Sequence, residues 1–158
     1  MTLDTVIFDM DGLLIDSEPL WHEAADEVFS KYGFQLTPAL YTTTTGLRSL
    51  EFVEWWFGYF KIDVKQAAAA NNEIVKLVIS KVNSKGKVLP GVEHIFNFFI
   101  ERNFKIGLAT SSNDALIDVV VEKLGIRNYI QAMTSAESLP YGKPHPEVYL
   151  KCAAQLKS

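Results

Sequence analysis

Between Pro90 and the end of the chain two hydrophobic periods alternate, and no other feature constrains the fold as tightly. Val92, Ile95, Phe96 and Phe99 recur at helical spacing, Lys105 to Ala109 reads as a strand, and Leu116, Val119, Val120 and Leu124 return to helical spacing before Gly125. Tyr129 to Thr134 reads as a further strand and Pro146 opens a last helix. Strands alternating with helices predict an α/β fold with a parallel sheet and right-handed crossovers. An earlier apolar run, Val6-Ile7-Phe8, stops at Asp9 and reads as a buried strand of the same sheet. Roughly 95 residues separate it from the next strand, against about 30 in a simple βαβ unit. The core is therefore expected to be discontinuous, built from residues 1–16 and 85–158, with residues 17–84 inserted as a helical cap.

Inside the insertion, Leu20, Trp21, Ala24, Ala25, Val28, Phe29 and Tyr32 mark an amphipathic helix from Glu18 to Tyr32, closed by Gly33. Thr37-Pro38 has the form of a helix N-terminus. Residues Arg48 to Phe60 carry two tryptophans, three phenylalanines and a tyrosine on all faces, which predicts a helix covered on most sides, with Trp55, Trp56 and Phe57 in the cap core. Asp63 opens a longer helix through the Ala67–Ala70 run to Val82, and Lys81, Lys85 and Lys87 read as a solvated helix end.

A chain of 158 residues, 48% hydrophobic, has the material for one globular domain with an insertion. Fifteen basic against nineteen acidic residues leave a net charge of −4, which argues against a nucleic-acid partner. No apolar run approaches the ~20 residues of a membrane span. Asp4, Asp9 and Asp11 stand where a signal peptide carries basic residues, and the single cysteine, Cys152, cannot form an internal disulfide, so a cytoplasmic location is expected.

Ligands of parallel α/β sheets bind beyond the carboxyl ends of the strands. There the first strand delivers Asp9 and Asp11, the second Thr110 with Ser111, Ser112 and Asn113, and the loop after the third Lys143. Two carboxylates, a hydroxyl and an ammonium facing one crevice suit phosphoryl transfer. Asp9 is the candidate nucleophile and Asp11 the acid and base, while Thr110, Ser111 and Lys143 would hold phosphate oxygens. Close carboxylates beside a phosphate also call for a cation, most simply Mg²⁺ on Asp9 and Asp11. Glu18 and Trp21 start the first inserted helix beside the crevice, and both are candidates for substrate contact. Trp21 has cap-core packing as its alternative. Arg48, in the cap loop, is either a substrate contact or a surface charge. His22, His94 and His145 are read as incidental.

Val6-Ile7-Phe8-Asp9-Met10-Asp11-Gly12, Leu108-Ala109-Thr110-Ser111 and Gly142-Lys143-Pro144 together resemble the first three motifs of the haloacid dehalogenase superfamily. Asp16-Ser17-Glu18-Pro19-Leu20-Trp21 and Thr45-Gly46-Leu47-Arg48 look like its β-phosphoglucomutase-like branch, which includes 2-deoxyglucose-6-phosphate and hexitol phosphatases. The resemblance implies a Rossmann-like core, a helical cap, Mg²⁺ and an aspartyl-phosphate on Asp9. The function expected is a phosphatase of small sugar or sugar-alcohol phosphates. The alternatives are a phosphosugar mutase and a silent binding protein. In the mutases a histidine stands where this chain has Trp21, which tilts the choice toward hydrolysis. The family's fourth motif, an acidic pair on a further strand, is expected after Lys157, yet the chain stops at Ser158. The resemblance thus implies a core without its C-terminal strands and a truncated form. Its exposed first strand would be prone to self-association, and Mg²⁺ would be held weakly by Asp9 and the main-chain carbonyl of Asp11.

Overall fold

The apolar run ending at Phe8 is a strand, and in a computed structural model describing residues 3–157 the chain runs β1 (Thr5–Phe8), β2 (Ile15–Asp16), α1 (Glu18–Phe29), α2 (Pro38–Thr42), α3 (Ser49–Tyr59), α4 (Ala67–Lys85), β3 (Lys87–Val88), α5 (Val92–Glu101), β4 (Lys105–Thr110), α6 (Asp114–Leu124), β5 (Ala132–Ser135) and α7 (Glu147–Gln155). β1 pairs in parallel with β4, and β4 with β5, so the order is β1-β4-β5 with β1 at an edge of the described sheet. The register sets Phe8 beside Leu108 and Thr110 beside Ser135, which brings the polar strand ends to one side. The expected chain ends, residues 1 and 158, lie outside the described residues.

Alternation along β4 builds two apolar layers from one strand. Ile106 and Leu108 join Phe8, Val92 and Phe96 of α5, and Leu116, Ile117, Val120 and Val121 of α6. Ala109 faces the opposite layer, with Ala132, the α7 residues Val148 and Cys152, and Leu156 just past the end of α7. Gly107 lies under α7 so closely that a Cβ there would meet the Cys152 sulfur at 2.7 Å and Leu156 at 2.8 Å. Bare backbone at this position is what lets the helix seat on the sheet.

The helices α1 and α3 both pack on α4, and α4 also packs on α6. α1 buries Leu20, Ala24, Ala25, Val28 and Phe29, and its last turn tightens to a 3₁₀ segment, Ser30–Tyr32, ended by Gly33 at φ 83°. Lys81 and Lys85 of α4 pair with Glu23 and Glu27 of α1, so these two lysines clasp two helices instead of ending one freely in solvent. The α3 aromatics are not covered all round: Trp56 and Phe57 are buried, but Trp55 is 59% exposed. One face of α3 therefore meets solvent, and Trp55 leaves the expected cap core.

Two local readings change. The third sheet strand begins at Ala132, because Arg127–Tyr129 form a 3₁₀ turn after Gly125. In addition, β2 and β3 form a two-residue antiparallel pair, with Asp16 opposite Lys87, that ties together the two ends of the helical stretch. Elements this short carry no periodic pattern to read.

Candidate active site

Asp9 leaves β1 at its carboxyl end. Its Oδ1 accepts from the Met10 amide at 2.7 Å and faces the Lys143 ammonium at 2.8 Å. Lys143 stands between Gly142 and a cis bond to Pro144, and its Nζ also donates to the Ala109 carbonyl at 3.3 Å. That second bond anchors the cation to the end of β4, the strand beside β1. Asp9 Oδ2 has no partner among the described residues.

Asp11 is held by donors from two directions. The Ser17 hydroxyl donates to its Oδ1 at 2.6 Å and the Trp21 indole N–H to the same oxygen at 3.3 Å. Thr110 and Ser112 hydroxyls donate to Oδ2 at 3.2 Å and 2.7 Å. Ser17 and Trp21 are four residues apart on consecutive turns of one helix start, so their side chains converge. Ser17 occupies the N-cap of α1 but makes no side-chain cap bond, because its hydroxyl goes to Asp11. An N-cap serine normally serves the helix. Across the cleft Asn113 caps α6 by accepting from the Leu116 amide at 2.9 Å, which leaves Ser112 free for Asp11.

Asp9, Asp11 and Lys143 line one wall of a cavity of about 190 Å³. Ser111 and Ser112 continue this wall, and the facing one holds Trp21, His22, Tyr41 and Phe52, with Glu18 at the helix start and Thr44 to Leu47 on the cap loop. The Ser111 hydroxyl donates to the Gly46 carbonyl at 2.9 Å, so the two walls touch at the loop. Tyr41 donates to Asp26 at 2.8 Å and to the His22 carbonyl at 3.1 Å. Burial, together with the Asp26 carboxylate, pushes the Tyr41 phenol well above the usual tyrosine range, which keeps it a donor.

Of the residues expected at the site, Asp9, Asp11, Glu18, Trp21, Ser111 and Lys143 line this cavity. Thr110 does not: it is 1% exposed and bonded to Asp11 and the Ser112 amide, so it supports the carboxylate from beneath. Arg48 does not either. Its guanidinium pairs with Glu51 and donates to the Leu139 carbonyl at 2.7 Å, in a neighbouring recess that Gly142 helps to line. The Glu51 carboxylate holds the Arg48 guanidinium charged, and Arg48 in turn lowers the Glu51 carboxyl below its usual range. Ser17, Ser112, His22 and Tyr41 had no assigned role in the crevice. A serine at an N-cap is the ordinary helix signal, so nothing in its spacing marked the diversion of Ser17.

A hard cation needs oxygen ligands, and among the described residues no three His, Cys, Asp or Glu side chains gather to hold one. Both Asp11 carboxylate oxygens are occupied. The free oxygens are Asp9 Oδ2 and the Asp11 main-chain carbonyl, since the adjoining turn bonds to the carbonyls of Met10 and Ile15. This donor set fits Mg²⁺, which binds through one or two protein oxygens and fills its shell with water and phosphate oxygens.

Residues 6–158 match the family model described as haloacid dehalogenase-like hydrolase. The chain is 37% identical over 151 residues to hexitol phosphatase B of Escherichia coli strain K12, covering 95% of this chain and 68% of that protein. It is 30% identical over 150 residues to a phosphorylated carbohydrates phosphatase of Thermotoga maritima, covering 94% and 68%. The crystal structure of a β-phosphoglucomutase from Clostridium difficile superposes with a TM-score of 0.87 at 23% identity, over 99% of this chain and 72% of that one, a likeness of fold.

Proposed function

The chain belongs to the haloacid dehalogenase-like hydrolase family, and from that premise we propose that it cleaves the phosphate monoester of a small sugar or sugar alcohol through an aspartyl-phosphate on Asp9. The observation that carries this reading is the Asp9 carboxylate at the end of β1, 2.8 Å from the Lys143 ammonium and in one cavity with Asp11. Two curated relatives are phosphatases whose names specify hexitol or phosphorylated carbohydrates. Residues 1–16 and 85–158 act as the core and 17–84 as the cap, a division that the β2–β3 pair supports by joining both ends of the inserted stretch.

In the first step an Asp9 oxygen attacks phosphorus, the P–O bond to the sugar breaks, and Asp11 gives the departing alkoxide its proton. In the second, Asp11 takes a proton from water, whose oxygen attacks the same phosphorus. Phosphate leaves and the Asp9 carboxylate is restored. Lys143 holds phosphate oxygens, joined by the Ser111 hydroxyl once it turns from the Gly46 carbonyl, and Thr110 and Ser112 keep Asp11 oriented. Asp9 and the Asp11 carbonyl would hold Mg²⁺, which when bound would supply charge neutralisation at the phosphate.

Hydrolysis is favoured over mutase chemistry by charge. A mutase working on hexose C1 and C6 needs a cation for phosphate at each end of its cavity. Lys143 is the one Lys or Arg among the described residues lining this cavity, and Arg48 is committed to Glu51 and Leu139. Phosphate release from a panel of sugar and sugar-alcohol phosphates, with and without Mg²⁺, tests the reading. Asp9→Asn is expected to abolish turnover and Asp11→Asn to slow it about 10²–10⁴-fold. Full activity in Asp9→Asn, or isomerised sugar phosphate in place of free phosphate, would overturn it.

A further inference from the structure

The cavity wall opposite Asp9 and Lys143 is lined by polar side chains, yet most of them are already spent. Tyr41 donates to Asp26 and the His22 carbonyl, Trp21 donates to Asp11, and Thr44 and Thr45 donate to the Tyr41 carbonyl. His22, Glu18 and Ser49 remain without side-chain hydrogen bonds to other described residues. Of these, His22 has the most determined position. Its ring stacks on Tyr41 with centroids 3.8 Å apart and planes 20° off parallel. Tyr41 is itself 5% exposed, tied at its hydroxyl to Asp26 and stacked on Phe52, which leads into the buried Phe29 and Phe34. The imidazole is thus the polar last ring of an aromatic stack rooted in the helical core.

A ring held flat against its neighbour loses little freedom when a ligand arrives, so a hydrogen bond made at its edge keeps most of its worth. A neutral imidazole offers one donor and one acceptor at that edge, the pair that a hydroxyl group can satisfy in both senses. Charge points the same way. Away from Lys143 the cavity is lined by Glu18 and no further lysine or arginine among the described residues, which disfavours a second phosphate or a carboxylate and suits an uncharged hydroxylated chain.

We propose that His22, braced by Tyr41 and Asp26, reads the hydroxyl groups of the substrate's carbon chain and so selects polyol phosphates over phosphate esters without hydroxyls. The inference rests on the phosphatase reading for which end of the substrate faces Asp9, but its test needs no turnover. Calorimetric affinities for a hexitol phosphate and for phenyl phosphate are measured on the full chain, on His22→Phe and on His22→Gln. His22→Phe keeps an aromatic ring and removes both nitrogens. The wild-type chain is expected to bind the hexitol phosphate more tightly. In His22→Phe the ratio of the two affinities is expected to fall about five- to tenfold, the usual worth of one hydrogen bond. His22→Gln, which retains a donor and an acceptor, is expected to recover part of that ratio. Equal weakening for both ligands, an unchanged ratio, or no wild-type preference for the hexitol phosphate would overturn the proposal. Preferential binding without phosphate release would leave His22 supported and remove the phosphatase reading.

Discussion

At the scale of single residues the site is organised around Asp11, whose two oxygens receive four donors from the start of α1 and the end of β4. An indole can only donate, so Trp21 can orient a carboxylate oxygen and cannot take a proton from it. Trp21→Phe keeps an aromatic side chain and removes the donor. It is expected to lower kcat by about three- to tenfold, the usual worth of one hydrogen bond, with less change in KM. The same substitution placed in Asp11→Asn is expected to cost much less, since the group it positions is gone. Additive losses in that double-mutant cycle would show that Trp21 acts by packing alone. Asp9, Asp11 and Lys143 were legible from the sequence because each lies just beyond a readable strand or turn. Arg48 was left between two readings by its loop, and its partners were not legible there. A guanidinium reaches several ångströms, and its partner, the Leu139 carbonyl, is far away in sequence.

At the scale of elements, hydrophobic period predicted α1, α5 and α6, and it failed where an element is too short to have one. The β2–β3 pair is two residues on each side, and the 3₁₀ turn at Arg127–Tyr129 takes the first residue of the run Tyr129 to Thr134 that reads as a strand. Gly107 shows a constraint that no periodicity contains: the position is in a strand, alternates correctly, and still cannot carry a side chain because α7 lies on it. Gly107→Ala is expected to push α7 from the sheet and lower stability by about 1–3 kcal/mol, the usual cost of overpacking. Urea unfolding would show this as a lower midpoint, and an unchanged midpoint would mean that α7 yields freely.

At the scale of the whole molecule, the helical half is tied to the sheet half by Ser17 and Trp21 to Asp11, by Ser111 to Gly46, and by Arg48 to the Leu139 carbonyl. The Arg48 contact depends on Glu51, which orients the guanidinium from the same helix. Because Arg48 lowers the Glu51 carboxyl, the pair's contribution is fully present above the ordinary glutamate value of about 4.3 and is lost as pH falls through the lowered value. Both side chains are partly exposed, so the contribution is at most about 1 kcal/mol. Glu51→Gln is expected to remove that much stability at pH 7 and progressively less below pH 4, in denaturation measured across pH. Further down, the seat of α7 on Gly107 has a consequence for how the molecule's opening can be timed. The chain's one sulfhydryl, on Cys152, is sealed between that helix and the strands, and burial raises its proton affinity. A thiol reagent can reach it only when α7 lifts, so the rate of labelling counts those openings directly. The sulfur is expected to react far more slowly than a free thiol in the wild-type chain and faster in Gly107→Ala. It is a clock set between helix and sheet, and mass spectrometry can read it.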